Sequence, residues 1–175
     1  MNGALIIYSS TDGHTKTICE RISNFFKNVS YVKTIPLEEA IELNLTQFDK
    51  IIIGASIRYG RHSKSLYEFI KSNKDILDQK QNVFFSVNVV ARKPEKNQPE
   101  TNPYIKKFLK ISDWIPKKIG VFAGRVDYPK YGFFDRYIIK FIMFITKGPT
   151  DTTQSYEFTD WAKVDDFAKE ISHNF

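Results

Sequence analysis

The sequence predicts an open α/β fold in which five parallel strands, in the order 2-1-3-4-5, carry helices on both faces of the sheet. Ala4–Tyr8 and Lys50–Gly54 are short, mostly apolar runs, which is typical of strands buried on both faces. The segments between such runs repeat apolar residues every three or four positions, as amphipathic helices do. Strands that alternate with helices join through right-handed crossovers into a parallel sheet, so we expect residues 1–175 to form one domain.

Each further element follows from a local pattern. The first helix is predicted from Lys16 onward, because Ile18, Ile22, Phe25 and Phe26 share one helical face. Pro36 stops the second strand, and the pair Thr159-Asp160 is a capping signal for the last helix. The other predicted elements are a strand at Val29–Ile35, a crossover at 37–48, a helix at Ser65–Leu77, a strand at Asn82–Val90, a polar loop at Ala91–Pro103, a helix at Tyr104–Lys110, a strand at Lys118–Ala123 and a short strand at Ser155–Thr159.

The loop between the first strand and the first helix suits a bound phosphate. A helix N-terminus at the carboxyl end of a central strand offers unpaired N–H groups and the positive end of its dipole to an anion. Gly13 permits a positive φ, and hydroxyl donors come from Ser9, Ser10, Thr11 and Thr15. The spacing Ser10-x-x-Gly13-x-Thr15 resembles the FMN-phosphate loop of flavodoxins. The simpler alternative is that Ser10 to Asp12 only cap the helix.

Asp12 departs from that resemblance, since flavodoxins usually have a threonine at this place. A carboxylate beside a phosphate is costly, so we expect Asp12 to point away from the phosphate or to cap the helix. No lysine stands where a nucleotide-hydrolysing P-loop needs one. His14, His62 and His173 lack metal-ligand spacing, so we expect no metal.

Three loops are predicted to converge where the strand order reverses: Ser9–Thr15, Ser56–His62 and Ser86–Lys93. A response regulator shares this order but needs acidic residues after strand three. This chain has Gly54-Ala55-Ser56 there, which argues against that class. The converging loops therefore favour a small-molecule site.

A flavin ring needs a flat, partly apolar slot with polar groups along one edge. The candidate walls are Ile57, Tyr59, Val87 and Val89, and Tyr59 is the candidate for stacking on the ring. Arg58 or Arg92 is a candidate for the positive charge near the N1–C2=O edge. The alternative for both arginines is a solvated loop charge. His62 is a weak proton-relay candidate, and an ordinary loop histidine is the alternative.

Composition restricts the class of protein without choosing a function. The chain has 175 residues, 42% of them hydrophobic and 15% aromatic, which is enough for one good core. A net charge of +6 favours anionic partners such as nucleic acid, acidic lipid or a carboxylated substrate. One cysteine, Cys19, excludes an internal disulfide framework, and we expect it to be a buried structural thiol in a cytoplasmic protein without a signal peptide.

Four strings resemble the motifs of the menaquinone-dependent protoporphyrinogen IX dehydrogenases: Tyr8–Thr15, Ile53–Gly60, Ser86–Lys96 and Thr150–Thr152. The resemblance covers essentially the whole chain. It implies a flavodoxin-like fold, an FMN cofactor, and oxidation of protoporphyrinogen IX to protoporphyrin IX late in haem synthesis. It also implies that six electrons leave in three two-electron transfers to the flavin, which a membrane quinone, menaquinone or ubiquinone, reoxidises each time.

The same resemblance assigns candidate site residues. Arg58, Arg92, Lys93 and Arg125 are candidates for orienting the two propionates of the porphyrinogen, and Arg58, His62 and Arg92 are the catalytic candidates. The predicted cofactor-binding residues are Ser9, Ser10, Thr11, Asp12, Gly13, His14, Thr15, Ser56, Ile57, Arg58, Tyr59, Gly60, Ser86, Val87, Asn88, Val89, Val90, Ala91, Gly124, Thr150, Asp151 and Thr152.

An insertion at residues 125–150 is too long for an ordinary connection and is therefore expected to be functional. Its apolar residues recur at helical spacing: Phe134, Tyr137, Ile138, Phe141, Ile142 and Ile145. Charged residues interrupt the run, so it falls short of the roughly 20 apolar residues of a transmembrane helix. We expect residues 131–147 to lie on the anionic inner face of the cell membrane, and a core helix or a dimer interface is the alternative.

Other functions remain open at the level of sequence. Within the same fold, the chain could be a flavodoxin-type electron carrier or an NAD(P)H:quinone reductase. A different class is a non-enzymatic module that binds membrane or nucleic acid through its basic surface. We expect no nucleic-acid binding, because the aromatic and basic patterns of known RNA modules are absent.

Overall fold

A computed structural model describes residues 3–26 and 31–173. Its main sheet has five parallel strands in the order β2-β1-β3-β4-β5, which confirms the predicted topology. The strands are β1 (Gly3–Ser9), β2 (Tyr31–Pro36), β3 (Lys50–Ser56), β4 (Gln81–Val87) and β5 (Lys118–Phe122). The first two residues of the predicted second strand, Val29 and Ser30, lie outside the described residues.

Six α-helices lie within the described residues, and four of them cover the two faces of the sheet. The helices are α1 (His14–Ser23), α2 (Leu37–Ala40), α3 (Lys64–Gln79), α4 (Pro103–Ser112), α5 (Phe133–Ile145) and α6 (Trp161–His173). Leu5 and Ile7 of β1 pack with α3 and α4 on one face, whereas Ala4 and Ile6 pack with α1 and α6 on the other. This alternation explains the uninterrupted apolar run of β1, because a strand buried on both faces needs an apolar residue at every position.

The first helix is shorter than its apolar stripe predicts. It ends at Ser23, and the next residues form a turn in which Phe25 and Phe26 donate backbone hydrogen bonds to Ile22 and Ser23. Phe26 is still buried against the sheet, so the stripe identified core residues correctly and misplaced the end of the helix. Cys19 is buried in the same core, and burial raises the pKa of its thiol, as expected of a structural cysteine.

The predicted fourth strand also ends early, at Val87 instead of Val90. Asn88 stops it by capping a 3-10 helix at Val89–Arg92, in which the Asn88 side chain accepts a hydrogen bond from the backbone N–H of Ala91. Asn and Asp side chains commonly compete with strand pairing in this way. The chain therefore turns immediately at the end of β4.

The insertion begins with a strand that the sequence did not predict. This strand, β6 (Arg125–Asp127), pairs antiparallel with β7 (Ser155–Glu157) in a separate two-stranded sheet, and β7 is shorter than the predicted strand at Ser155–Thr159. Between them, α5 rests on a small apolar cluster that contains Val126, Tyr128, Tyr131 and Met143. The insertion is thus anchored at both ends and placed beside the carboxyl edge of the main sheet.

Candidate functional site at the carboxyl ends of the central strands

The three loops expected to converge do meet, in a cleft that we call the central cleft. Its lining combines the loops after β1, β3 and β4 with two residues that follow β5. The lining residues are Ser10, Thr11, Asp12, His14, Thr15, Ser56, Ile57, Arg58, Val87, Asn88, Val89, Gly124 and Arg125. The cleft lies where the strand order reverses, which is the usual ligand position in an open α/β sheet.

The loop after β1 leaves donors for an anion at the start of α1. Gly13 stands at the N-cap with φ +82°, and no side chain among the described residues caps the helix. The Ser10 hydroxyl accepts a hydrogen bond from the N–H of Gly13 (3.0 Å) and so shapes the loop, which differs from the alternative in which Ser10 to Asp12 cap α1. The first-turn N–H groups therefore remain available to a ligand.

Thr15 provides a second sign of a ligand in this loop. Its side chain is 1% exposed, and its hydroxyl has no hydrogen-bond partner among the described residues. A buried hydroxyl without a partner is unusual and costly, since burial removes its water. The hydroxyl of Thr15 and the N–H groups of α1 together form a donor set that fits a phosphate.

Arg58 connects this loop to the insertion. Its Nη1 binds both carboxylate oxygens of Asp12 (3.0 and 2.9 Å), and its Nη2 binds the carboxylate of Asp135 on α5 (2.6 Å). Asp12 is therefore held by an arginine that offsets its charge beside the start of α1. The Tyr59 hydroxyl also donates to Asp135, and Tyr59 and then Arg58 hold the pKa of that carboxyl below its ordinary value.

Arg58 starts a tight hairpin after β3. The backbones of Arg58 and Arg61 exchange two hydrogen bonds (3.0 and 3.2 Å), and the two residues between them both have positive φ, +50° at Tyr59 and +76° at Gly60. Such a two-residue turn favours glycine, so Tyr59 is held in a conformation that few residues adopt. Tyr59 is 48% exposed, and its hydroxyl contacts Asp135 of α5.

A series of hydrogen bonds between buried polar side chains supports the loop after β4. His62 Nε2 contacts the Ser86 hydroxyl (3.0 Å), the amide of Asn88 donates to the same hydroxyl (3.2 Å), and the amide of Asn102 donates to Asn88 (3.2 Å). His62 is 2% exposed, and burial followed by the charge of Lys107 lowers its pKa to about 4. His62 is thus a neutral, buried support of the loop rather than an exposed loop histidine.

Arg92 holds the other end of α5. Its guanidinium donates to the backbone oxygen of Val89 (3.0 Å) and to the backbone and hydroxyl oxygens of Thr146 (2.8 and 3.0 Å), at the C-cap of α5. A cation at a helix C-terminus is favourable because the dipole is negative there. Arg58 and Arg92, from the loops after β3 and β4, therefore fix the two ends of α5 across the site.

Below α5 lies a second space, which we call the helix-covered cleft, with a volume of about 110 Å³. Ile57, Tyr59, Val89 and Val90 line it from the sheet side, and Ile139, Ile142 and Met143 line it from α5. Asp12, Arg58, Asn88, Val89 and Arg125 border both this space and the central cleft. Together the two clefts offer an apolar slot next to the loop after β1 and its free helix N-terminus.

The remaining predicted site residues are placed as follows. The ring of His14 faces the Thr159 hydroxyl (2.6 Å) and Trp161, and burial lowers its pKa. Ser9 contacts Ser63, and Ala91 is buried behind the loop. Arg125 pairs with Asp127 (3.0 Å). Thr150, Asp151 and Thr152 do not line either cleft, and Asp151 instead accepts hydrogen bonds from Thr153.

Sequence reasoning missed Asp135 and Asn102. Asn102 precedes Pro103 at the start of α4 and caps it, a pattern that the sequence does contain. Asp135 had no comparable signal, because its partners Arg58 and Tyr59 lie 76–77 positions away. Among residues 3–26 and 31–173, no group of His, Cys, Asp and Glu side chains has the arrangement of a metal site.

Comparison with known proteins identifies the family. Residues 5–153 match the family described as Flavodoxin domain. A Leishmania major protein named protoporphyrinogen IX dehydrogenase (quinone) is 42% identical over 170 residues, which cover 96% of this chain and 74% of that protein. The Escherichia coli K12 protein of the same name is 41% identical over 170 residues, which cover 97% of this chain and 94% of that protein.

Solved structures agree on the fold. The crystal structure of oxidised flavodoxin 2 from Bacillus cereus superposes with a TM-score of 0.56 at 17% identity, over 99% of both chains. A flavodoxin domain supports a flavin cofactor, and the orphaned hydroxyl of Thr15 and the uncapped α1 fit the phosphate of one. The chain belongs to the flavodoxin-domain family whose curated members are named protoporphyrinogen IX dehydrogenase (quinone).

Proposed function

We propose that this protein uses FMN to oxidise protoporphyrinogen IX to protoporphyrin IX in haem synthesis and passes the electrons to a membrane quinone, menaquinone or ubiquinone. The observation that carries this proposal is the identity of 41–42% over nearly the whole chain with proteins that bear the corresponding name. The geometry supports it independently, because a phosphate-binding loop and an apolar slot lie side by side at the carboxyl edge of the sheet.

The phosphate of FMN is assigned to the loop after β1. Gly13 keeps the backbone in the left-handed conformation that turns the first N–H groups of α1 toward the cleft, and Thr15 adds its unpartnered hydroxyl. A single phosphate-binding loop of this kind suits a mononucleotide. The chain has no Gly-x-Gly-x-x-Gly loop, so a dinucleotide such as FAD is not favoured.

The apolar slot is assigned to the flavin ring. Ile57, Val89 and Val90 provide apolar walls, and α5 shields the slot from water. Arg92 binds only neutral oxygens within the described residues, so no carboxylate cancels its charge. A positive charge beside the slot stabilises negative charge that develops on a bound group. FMN, when bound, supplies the two-electron chemistry, and the protein supplies position and field.

We further propose that the protein is cytoplasmic and that α5 docks on the anionic inner face of the cell membrane. Eight apolar side chains of α5 are exposed, from 39% at Ile142 to 79% at Phe134, and Met143 alone is buried. This arrangement does not fit a core helix of the single chain. Within the described residues, no helix combines the length and apolar character that a membrane crossing requires. Lys140 and Lys147 are exposed on the same segment and favour an anionic surface.

Vesicle co-sedimentation tests the docking proposal. Phe134→Ser with Phe141→Ser should abolish binding to anionic vesicles, because both side chains are exposed and neither lines a cleft. The matched control is Ile41→Ser with Ile115→Ser, two exposed apolar residues outside α5, which should bind like the parent. Binding of the α5 variant at the parental level, with its flavin content preserved, would contradict membrane docking.

Anaerobic spectroscopy tests the activity and separates it from its alternatives. The cofactor released from the purified protein should be FMN, and protoporphyrinogen IX should bleach the yellow flavin, which added quinone should restore. Bleaching by NADH but not by porphyrinogen would instead indicate an NAD(P)H:quinone reductase. A carrier would respond to neither reductant without a partner enzyme. A protein without flavin that binds RNA in a salt-sensitive manner would be the non-enzymatic module.

A further inference from the structure

A third depression in the surface is lined by residues of the Arg58–Arg61 hairpin and borders the central cleft. We call it the basic groove. It runs between the start of α3 and the middle of α4, and its volume is about 520 Å³. Ligand sites of this kind are typically about 300–1,000 Å³. Neither the FMN assignment nor the membrane-docking proposal uses this groove.

Among the residues that the structure describes, four cationic side chains and no carboxylate line the groove. Arg58 is paired with Asp12 and Asp135, and Lys64 pairs with Glu68 on its exposed side. The other two are available to a ligand. Lys107 Nζ reaches only a backbone oxygen, that of Gly60 at 3.4 Å, and within the described part of the chain the Arg61 side chain has no hydrogen bond or ion pair.

The helix that borders the groove adds to its positive potential. The 16-residue α3 begins here, with Ser63 as its N-cap, so the positive end of the α3 dipole faces the same space. His62 also lines the groove, and the positive charge of Lys107 contributes to the lowering of the His62 pKa. An anion is therefore the ligand that the groove favours.

The groove also offers apolar surface. Tyr67 and Ile111 line it beside the cations, and Ile111 is 52% exposed although it is a large apolar residue. Tyr59 stands on the hairpin between this groove and the helix-covered cleft and lines both. Thr11 and Ser56 border both the groove and the central cleft. A ligand in the groove can therefore extend to the flavin loops without leaving the protein surface.

We propose that the basic groove binds the carboxylates of the tetrapyrrole substrate, an inference that rests on the proposed function. Arg61 and Lys107 pair with the propionates of the porphyrinogen, while its macrocycle contacts Tyr67 and Ile111 and reaches past Tyr59 to the flavin. This placement differs from the sequence-based candidates Arg58 and Arg92, whose guanidinium groups are engaged in holding α5.

Fluorescence titration with mesoporphyrin IX, a stable dicarboxylate porphyrin, tests the groove without turnover. Arg61→Gln with Lys107→Gln should raise the Kd about tenfold, because two charge-assisted contacts are lost. The matched control is Lys71→Gln with Lys106→Gln, which removes the same charge from exposed positions on α3 and α4, the two helices that border the groove, and should change the Kd by less than about twofold. The dimethyl ester of mesoporphyrin should bind weakly to all three proteins.

The proposal is overturned if the groove variant, with normal flavin content, binds mesoporphyrin like the parent. It is also overturned if the parent binds the diester as tightly as the diacid, or binds neither. If the groove variant keeps porphyrin binding and loses binding to anionic vesicles, the groove is instead a site for lipid headgroups. Flavin reduction of the parent by protoporphyrinogen IX is measured separately, so a failure of the proposed activity is distinguished from a failure of the groove.

Discussion

Gly13 is the residue at which the phosphate loop becomes a helix, and its φ of +82° is disfavoured for any residue with a Cβ atom. We predict that Gly13→Val weakens FMN binding by roughly 1–2 kcal/mol, the typical strain at such a position, which is about a five- to thirtyfold higher Kd. Titration of the apoprotein with FMN, followed by quenching of flavin fluorescence, measures the change.

Gly132→Val is the matched control for this prediction. Gly132 also precedes a helix and also has open space around its Cβ position, but its φ is −59°. The control should therefore leave FMN affinity unchanged. Equal affinity in both variants would contradict the assignment of the phosphate to the loop after β1.

His62 makes stability depend on pH. Its pKa is about 4 in the folded protein, below the ordinary value of 6.5, so the unfolded chain binds more protons between these two values. Stability should therefore fall as the pH drops from about 6.5 to 4, by on the order of 3 kcal/mol from this residue. Urea unfolding at several pH values measures the free energy of unfolding across that range.

The variant His62→Gln should lose much of this acid sensitivity, because glutamine keeps a polar contact to Ser86 and does not titrate. His173→Gln, at the exposed end of α6, should retain the parental pH dependence. If His62→Gln lost stability with acid as steeply as the parent, His62 would not be the buried neutral group that the structure describes.

At the scale of elements, α5 depends on two arginines that belong to the site. Arg58 holds Asp135 in its first turn, and Arg92 holds Thr146 at its end. Both contacts are lost when the helix opens, so their removal lowers the cost of opening α5. Arg58→Ala with Arg92→Ala should therefore accelerate hydrogen exchange of the α5 amides by roughly tenfold or more.

Arg21→Ala controls for the loss of an arginine pair elsewhere. Arg21 binds Asp165 of α6 through two contacts (2.7 and 2.6 Å), so its removal should leave exchange in α5 unchanged. Unchanged exchange in the Arg58 and Arg92 variant would show that the apolar contacts of Met143 and its neighbours suffice to hold the helix.

Periodicity predicts the elements well, and side-chain capping and pairing decide where it fails. The apolar runs of β1 and β3 identified the sheet, and the stripe of α5 identified a helix with the correct exposed face. The end of β4 was misplaced because the Asn88 side chain turns the chain by accepting a hydrogen bond from the backbone N–H of Ala91. The small strand β6 was missed because three residues are too few for a period to be visible.

The candidate site could be predicted only in part, for a similar reason. Loops that follow parallel strands must meet at one edge, so their convergence follows from topology. The contact between Arg58 and Asp135 joins segments 77 positions apart, and no local pattern encodes it. The buried position of His62 depends on the packing of Phe84 and Phe108 around its ring, which is equally non-local.

At the scale of the whole molecule, each surface around the flavin loops has a different proposed partner. The exposed face of α5 is assigned to the membrane and its quinone, the central cleft and the helix-covered cleft to FMN, and the basic groove to the carboxylates of the substrate. The net charge of the chain, +6, favours both of the proposed anionic partners, lipid and porphyrinogen. The three assignments share one requirement, which is that electrons pass from porphyrinogen to quinone through a single flavin.

The most direct test of this account is the stoichiometry of anaerobic turnover, measured with the purified protein, protoporphyrinogen IX and a soluble menaquinone or ubiquinone analogue in the absence of nicotinamide nucleotides. Because six electrons leave the substrate in pairs, three molecules of quinone should be reduced for each protoporphyrin IX formed. Formation of porphyrin without quinone reduction, or quinone reduction that requires NADH and produces no porphyrin, would contradict the account.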